Sequence, residues 1–260
     1  MEYGYIFAGL LVGFLVGVTG VGGGSLMTPL LVFLFDFRPA VAVGTDLLFA
    51  AITKTGGVWV HHGIHKSVEW RIVGLLAAGS LPTAAATLYL LEHFARQGKE
   101  ITHLITFALG IALILTALSL IFRTRLQKIG RETQAHEPSR FAHLQTPATV
   151  LTGIVLGALV TLSSVGAGAL GTVALVFLYP RLPTVKIVGT DLAHAIPLTA
   201  LAGLGHWHMG NVNFALLGSL LIGSLPGIWV GSHVSAKIPE KVLRPILATV
   251  LMLIGFKFVL

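Results

Sequence analysis

The sequence predicts an all-α polytopic membrane protein with two inverted repeats, each a broken re-entrant helix hairpin followed by three transmembrane helices. Three observations support this prediction: an apolar composition, a duplicated set of motifs and the distribution of basic residues. Of the 260 residues, 55% are hydrophobic and 10% are charged, and the mean hydropathy is +0.88. A soluble domain could not bury so many apolar side chains behind so few charges. We therefore expect the lipid bilayer as a partner and no nucleic acid, despite the net charge of +7.

Eight apolar stretches follow one another along the chain, separated by short polar segments. A spanning helix needs about 20 residues, and the stretches at 5–35 and 147–178 are too long for one span. Both are interrupted midway, by Gly20–Gly24 and by Ser163–Gly168, where glycine weakens or breaks a helix. The other six stretches lie at 38–62, 70–93, 103–123, 183–207, 212–235 and 242–260.

The two halves of the chain resemble each other on either side of a polar segment. Val43–Leu47 recurs identically as Val188–Leu192, and Gly79–Pro82 recurs as Gly223–Pro226, at an offset of 145 or 144 residues. The two interrupted stretches match at the same spacing. The sequence therefore predicts an N-terminal repeat at 1–123, a linker loop at 124–146 and a C-terminal repeat at 147–260.

The lysines and arginines distinguish two arrangements of these copies. If each half crossed the membrane four times, the copies would be parallel and eight of these residues would lie on each side. If the first stretch of each half enters and leaves on one side, the copies are inverted and the split becomes twelve to four. The uneven split favours inversion. We expect the linker loop in the cytoplasm and both termini on the extracytoplasmic side of the inner (plasma) membrane.

The interrupted stretches predict a binding site near the middle of the membrane. Helices over 5–19 and 25–35 would be only about 22 and 16 Å long, shorter than a hydrocarbon core about 30 Å thick. A break at that depth is tolerated where it lines a cavity, and free helix N-termini there suit a small anion. The candidate substrate-binding residues are Thr19, Gly22, Gly23, Gly24, Ser25, Ser163, Ser164, Gly166, Ala167 and Gly168. The alternative is that these glycines only permit close helix packing.

Two acids lie well inside the predicted spans, Asp46 and Asp191, and each follows a threonine, Thr45 or Thr190. Intramembrane acids are costly and are functional by default. We expect each threonine and aspartate pair to gate the transporter, or to carry a proton or another coupling ion. The alternative is that these residues cap a helix that restarts after a kink.

Lys54 and two histidines complete the candidate coupling or gating set. Lys54 could attract the anion, pair with Asp46, or extend toward the membrane interface. The histidines cluster at span ends, where His61 and His206 are either interfacial or part of a proton path or gate. Because the clusters fall on opposite faces in the inverted arrangement, we expect no metal site. We expect no cofactor, and the absence of cysteine excludes thiolate chemistry.

These residues resemble a known family. The glycine-rich break at Gly20–Pro29, then Pro39, the Val43–Leu47 motif, Lys54 and His61, repeated in weaker form after the polar segment, are similar to the TauE/SafE sulfite exporter family of the toluene-sulfonate uptake permease group. The resemblance covers almost the whole chain outside the polar segment. It implies secondary transport of small sulfur-containing anions such as sulfite or organosulfonates across a bacterial inner membrane.

Two other functional classes stay open at this point. Ser25 with a distant histidine, or the histidine trio at 61–65, could serve an intramembrane enzyme, although the second repeat has Ala169 in place of Ser25. A passive anion channel is the other alternative. A phosphate-binding G-x-x-x-x-G-K-[ST] loop does not occur in the sequence, so we expect no direct use of ATP by this chain. The sequence does not indicate the oligomeric state.

Overall fold

The computed structural model describes residues 2–19, 24–99, 101–136, 138–235 and 240–260, and the regular structure within these ranges is entirely α-helical. The prediction of an all-α membrane protein is confirmed. Five helical segments in the described ranges are long and apolar enough to span a membrane: Trp70–Arg96, Ile101–Glu132, His143–Ser163, Thr184–His208 and Phe214–Gly231. The helices are α1 (Glu2–Thr19), α2 (Gly24–Phe35), α3 (Pro39–His65), α4 (Trp70–Arg96), α5 (Ile101–His136), α6 (Pro138–Ser163), α7 (Ala169–Leu178), α8 (Thr184–His208), α9 (Phe214–Ser235) and α10 (Glu240–Val259).

The second interrupted stretch is broken where the sequence predicts it. Helix α6 ends at Ser163 and α7 begins at Ala169. Between them Ser164, Gly166 and Gly168 have φ angles of 58°, 114° and 139°, a left-handed region that glycine enters without steric cost. The first break falls at residues 20–23, which lie outside the described residues.

The described residues of the polar segment 124–146 are helical, so the prediction of a loop there is wrong. Helix α5 continues to His136 and α6 already begins at Pro138. The segment is rich in arginine, lysine, glutamine and glutamate, which are good helix formers. Its polar composition shows only that α5 and α6 continue beyond the apolar part of the chain.

The arms of the broken stretches are therefore unequal in length. Helix α7 has 10 residues and is about 15 Å long, about half the thickness of a hydrocarbon core. Helix α6 has 26 residues and is about 39 Å long, and its segment His143–Ser163 is long and apolar enough to span a membrane. In the first repeat, where short helices over 5–19 and 25–35 are predicted, α1 has 18 residues and α2 has 12, about 27 and 18 Å.

Glycines bring helices of different repeats into backbone contact. A Cβ at Gly9 would lie 2.6 Å from the Leu220 carbonyl oxygen, and four residues later Gly13 contacts Ser224 in the same way. Helices α1 and α9 therefore run parallel. The equivalent pair, α6 and α4, is also parallel, because Gly153 contacts Leu76 and Gly157 contacts Ser80. For these glycines, close helix packing is the observed role.

The helices that carry the duplicated motif run in opposite directions. On α3, Gly44 contacts His206 of α8, and Leu48, four residues later, contacts the earlier Gly203. Matched helices α5 and α10 also pack antiparallel, since Gly110 meets Phe258 whereas Ile114 meets Gly255. This geometry supports an inverted relation between the repeats.

The ends of the helices supply a second argument on topology. The Lys186 ammonium lies 2.5 Å from the Glu69 carboxylate, which places the start of α8 beside the start of α4. Parallel repeats would put these two helix ends on opposite membrane faces. The ion pair therefore favours the re-entrant arrangement. At the other end of α4, Glu92 lies 3.7 Å from His208 at the end of α8.

Candidate functional site

Both intramembrane aspartates are buried and are held by matched threonines. The Thr28 hydroxyl donates to Asp46 Oδ2 at 2.6 Å, and the Thr172 hydroxyl donates to Asp191 Oδ2 at 2.9 Å. These threonines lie on α2 and α7, the second arms of the two broken stretches. In each carboxylate, Oδ1 has no hydrogen-bond partner among the described residues.

The threonines beside these acids bind the opposite repeat. The Thr45 hydroxyl accepts a hydrogen bond from the Asn213 backbone N–H at 3.1 Å, and the Thr190 hydroxyl accepts one from Glu69 N–H at 3.0 Å. Asn213 and Glu69 immediately precede α9 and α4, so both hydroxyls satisfy donors at a helix start. Thr45 and Thr190 therefore act like helix caps, as the alternative prediction has it, but each caps a helix of the opposite repeat rather than its own helix.

Lys54 lies between the two acids. The residue is only 6% exposed, and its ammonium donates to the Ala167 carbonyl at 2.6 Å. Both Asp46 and Asp191 lie within electrostatic range of this ammonium. The alternative that Lys54 extends to the interface is therefore wrong. Its electrostatic interaction with Asp191 and Asp46 acts beyond ion-pair distance.

The break at 164–168 forms one wall of this site. The Ser164 hydroxyl faces the Asp46 carboxylate but has no hydrogen-bond partner among the described residues. Ser163 turns back on its own backbone, donating to the Leu159 carbonyl at 2.6 Å and accepting from Val165 N–H at 3.1 Å. At the start of α7, Gly168 provides no side-chain cap; of the first N–H groups, that of Gly171 donates to the Gly166 carbonyl at 3.2 Å.

His194 belongs to the site and is missing from the candidates predicted above. It is fully buried, its Nε2 lies 2.8 Å from the Ser80 hydroxyl, and it lies within electrostatic range of Lys54. Its Nδ1 has no hydrogen-bond partner among the described residues. A buried polar atom without a partner costs about 1–3 kcal/mol. The available signal was its position one turn after Asp191, inside a span.

The other candidates fall outside this cluster or outside the described part of the chain. His206 is fully buried, with Nε2 2.9 Å from the Thr161 carbonyl, so its interfacial alternative is wrong. Gly22 and Gly23 lie outside the described residues. For four further candidates the structure describes the helix but not the surroundings of the residue: Thr19, Gly24, Ser25 and His61.

We call Asp46, Lys54, Asp191 and His194 the charged cluster. It draws on α3 and α8, one helix from each repeat, and it adjoins Ser164, Gly166, Ala167 and Gly168 of the break. One ammonium faces two carboxylates, so an added anion has to compete with a carboxylate for it. A proton on either carboxylate removes one competitor.

Comparison with known proteins agrees with the resemblance drawn from the sequence. A sequence profile described as Sulfite exporter TauE/SafE matches residues 5–258. The chain is 38% identical over 263 residues to "Probable membrane transporter protein YjnA" of Bacillus subtilis (strain 168), with 100% of each chain covered. It is 26% identical to "Probable membrane transporter protein YdhB" of the same strain, covering 90% of each. "Probable membrane transporter protein MJ0441" of Methanocaldococcus jannaschii is 25% identical, over 96% of this chain and 92% of that one. No solved structure matches.

Proposed function

Because this chain belongs to the sulfite exporter TauE/SafE family and is a membrane transporter, we propose that it is a secondary transporter of small sulfur-containing anions. Sulfite and organosulfonates are the proposed substrates, and export is the proposed direction. The anion binds where the break at 164–168 meets the charged cluster. The halves alternate in exposing this site to the two sides of the inner membrane, and both termini are extracytoplasmic.

The observation that carries this proposal is the buried ammonium of Lys54 beside a broken helix. A buried charge within a membrane span is rare, and it marks an ion pathway. Here the ammonium contacts the Ala167 carbonyl in the break itself. The start of α7, which has no side-chain cap, and the Ser164 hydroxyl, which faces the Asp46 carboxylate, place neutral donors nearby. Together they supply the positive potential and the hydrogen bonds that an oxyanion requires.

We propose the proton as the coupling ion because the two carboxylates restrict anion binding. An anion near Lys54 is repelled by Asp46 and Asp191 while both are ionised. Protonation of one carboxylate removes that repulsion and leaves the ammonium available. One proton would then cross with each anion in the same step, so export is driven by the outward concentration gradient of the anion, whereas an imposed proton gradient drives the anion in the direction of proton flow.

Two features support alternating access. The charged cluster takes residues from both repeats, and α3 and α8, which carry them, are antiparallel. The cluster is also buried, as a site that is closed to both sides at one stage of alternating access has to be. Near the start of α8, a cavity of about 510 Å³ is lined by Arg131 and Arg181. Such a basic surface concentrates anions at an entrance.

The proposal is tested in proteoliposomes containing the purified chain. Uptake is measured for a panel of sulfite, sulfoacetate, methanesulfonate, sulfate and chloride, with imposed proton or sodium gradients and an internal pH dye. We expect a proton gradient to drive sulfite or a sulfonate above its equilibrium distribution, with a matching pH change, and Lys54→Gln to abolish both. Downhill flux alone would indicate a channel. Sodium-driven uptake without a pH change would contradict proton coupling.

A further inference from the structure

We propose that His194 is a second ligand of the transported anion, beside Lys54, and that Ser80 is a positioning residue for its ring. The proposal rests on the proposed function, because it identifies a residue that contacts the oxyanion within the same site. The His194 imidazole would add a neutral hydrogen-bond donor to a site whose other groups are the charged side chains of Lys54, Asp46 and Asp191. The proposal also predicts which anions the site prefers.

The first argument is the hydrogen bonding of the imidazole. His194 and Ser80 are both fully buried, and the Ser80 hydroxyl lies 2.8 Å from Nε2. A neutral imidazole carries its proton on one nitrogen and accepts at the other. If the hydroxyl donates to Nε2, the proton resides on Nδ1, and Nδ1 has no partner among the described residues. The ring then presents an unused donor inside the protein.

The second argument is the place of this donor. His194 lies one helical turn after Asp191 on α8 and within electrostatic range of the Lys54 ammonium. The titratable and charged groups that face Lys54 are therefore Asp46 from α3 and Asp191 and His194 from α8. Among these four, the ammonium and the imidazole are the groups that can donate to an anion. Two donors in one site suit an anion with at least two acceptor oxygens.

The third argument is asymmetry between the repeats. At the duplication offset, the counterpart of His194 is Phe49, which is 2% exposed and packs in an apolar cluster. The counterpart of Ser80 is Ser224, whose hydroxyl turns to the Leu221 carbonyl of its own helix at 3.3 Å. The fold thus accepts an apolar side chain at the matched position. A histidine there is explained by a ligand rather than by packing.

The test compares two replacements that each keep one half of the imidazole. His194→Gln places an amide near Nε2 and keeps the Ser80 contact, but it removes the donor at Nδ1. His194→Asn keeps a donor near Nδ1 and loses the Ser80 contact. Binding of sulfite, methanesulfonate and chloride is measured by calorimetry on the purified full chain in detergent. His233→Gln, at an exposed histidine on α9, is the matched control.

We expect His194→Gln to weaken sulfite and methanesulfonate binding by about tenfold or more, the effect of one lost hydrogen bond to a charged group. His194→Asn should bind more tightly than His194→Gln, and chloride binding should change little. Ser80→Ala should weaken sulfite binding less than His194→Gln does, with Ser80→Thr restoring it. The control should bind as the wild type does.

Wild-type affinity in His194→Gln, together with lost binding in Lys54→Gln, would overturn the role of His194 and leave the proposed function intact. Equal losses in the glutamine and asparagine variants would overturn the assignment of Nδ1 as the donor. If the wild type itself bound none of the sulfur oxyanions, the proposed function would fail, and the ligand class assigned to His194 would fail with it. Circular dichroism and size-exclusion profiles establish that each variant is folded.

Discussion

Removal of the Lys54 charge should destabilise the protein, and restoring charge balance should recover much of the loss. In Lys54→Gln the carboxylates of Asp46 and Asp191 stay buried without a counter-charge, and the Ala167 carbonyl loses its donor. Removing one partner of a buried ion pair costs about 3–5 kcal/mol, and Lys54 interacts with the two carboxylates electrostatically, beyond ion-pair distance. We therefore expect a loss of up to that size in the free energy of unfolding, measured by denaturant titration in detergent micelles.

Compensating replacements distinguish electrostatics from packing. Lys54→Gln/Asp191→Asn and Lys54→Gln/Asp46→Asn each leave one unpaired carboxylate, and the triple variant leaves none. If charge imbalance causes the loss, stability should rise along this series, with the triple variant within about 1–2 kcal/mol of the wild type. Lys128→Gln is the control, because Lys128 is 78% exposed and an exposed ion pair contributes about 0–1 kcal/mol. Equal stability of Lys54→Gln and Lys128→Gln would refute the reasoning.

Three further predictions concern the same site and the topology. Gly171→Ala should impair transport with little loss of folded protein, because a Cβ there would clash with Asp191 Oδ1 and displace that carboxylate. Gly218→Ala has open space and should transport normally; equal uptake by both variants would contradict this. Thr28→Val and Thr172→Val should each destabilise the protein by about 1–3 kcal/mol in denaturant titration, because each removes the hydroxyl that donates to a buried carboxylate; a neutral effect would argue against that contact. Lys128→Cys should react with an impermeant maleimide only after the inner face is opened, and labelling from outside would reverse the orientation.

The sequence predicts the helices and the buried acids well because apolar stretches recur along the chain and the acids stand in a motif that occurs in both repeats. The apolar stretches follow from the membrane as solvent, and Asp46 and Asp191 stand in an identical motif. Thr28 and Thr172 match at an offset of 144 residues, so the same comparison also contains the partners of the acids. Their role was missed because nothing in one sequence shows that the second arms of the breaks fold back onto α3 and α8.

The remaining differences have two physical causes. The segment 124–146 is polar, and polarity reports solvent exposure rather than loss of helix, so the helices extend farther than the apolar pattern indicates. His194 has no polar counterpart in the first repeat, so a comparison of repeats could not reveal it. His206 lies near a helix end, and only the packing of α8 against α3 and α6 shows that its side chain is buried.

Symmetry and asymmetry have separate consequences at this site. The paired features make equivalent hydrogen bonds: Thr45 and Thr190 each bind the other repeat, whereas Asp46 and Asp191 each accept from a threonine of their own repeat. Lys54 is present once. If the repeats are inverted, the two acids swap environments when the protein changes from an inward-facing to an outward-facing state. The single Lys54 ammonium can be closer to only one of the two acids at a time. The acid left without its counter-charge is then the one more easily protonated, so the proton would move between the acids as the conformation changes. One lysine between two symmetric acids is therefore sufficient, in principle, to link proton uptake to the direction in which the site is open.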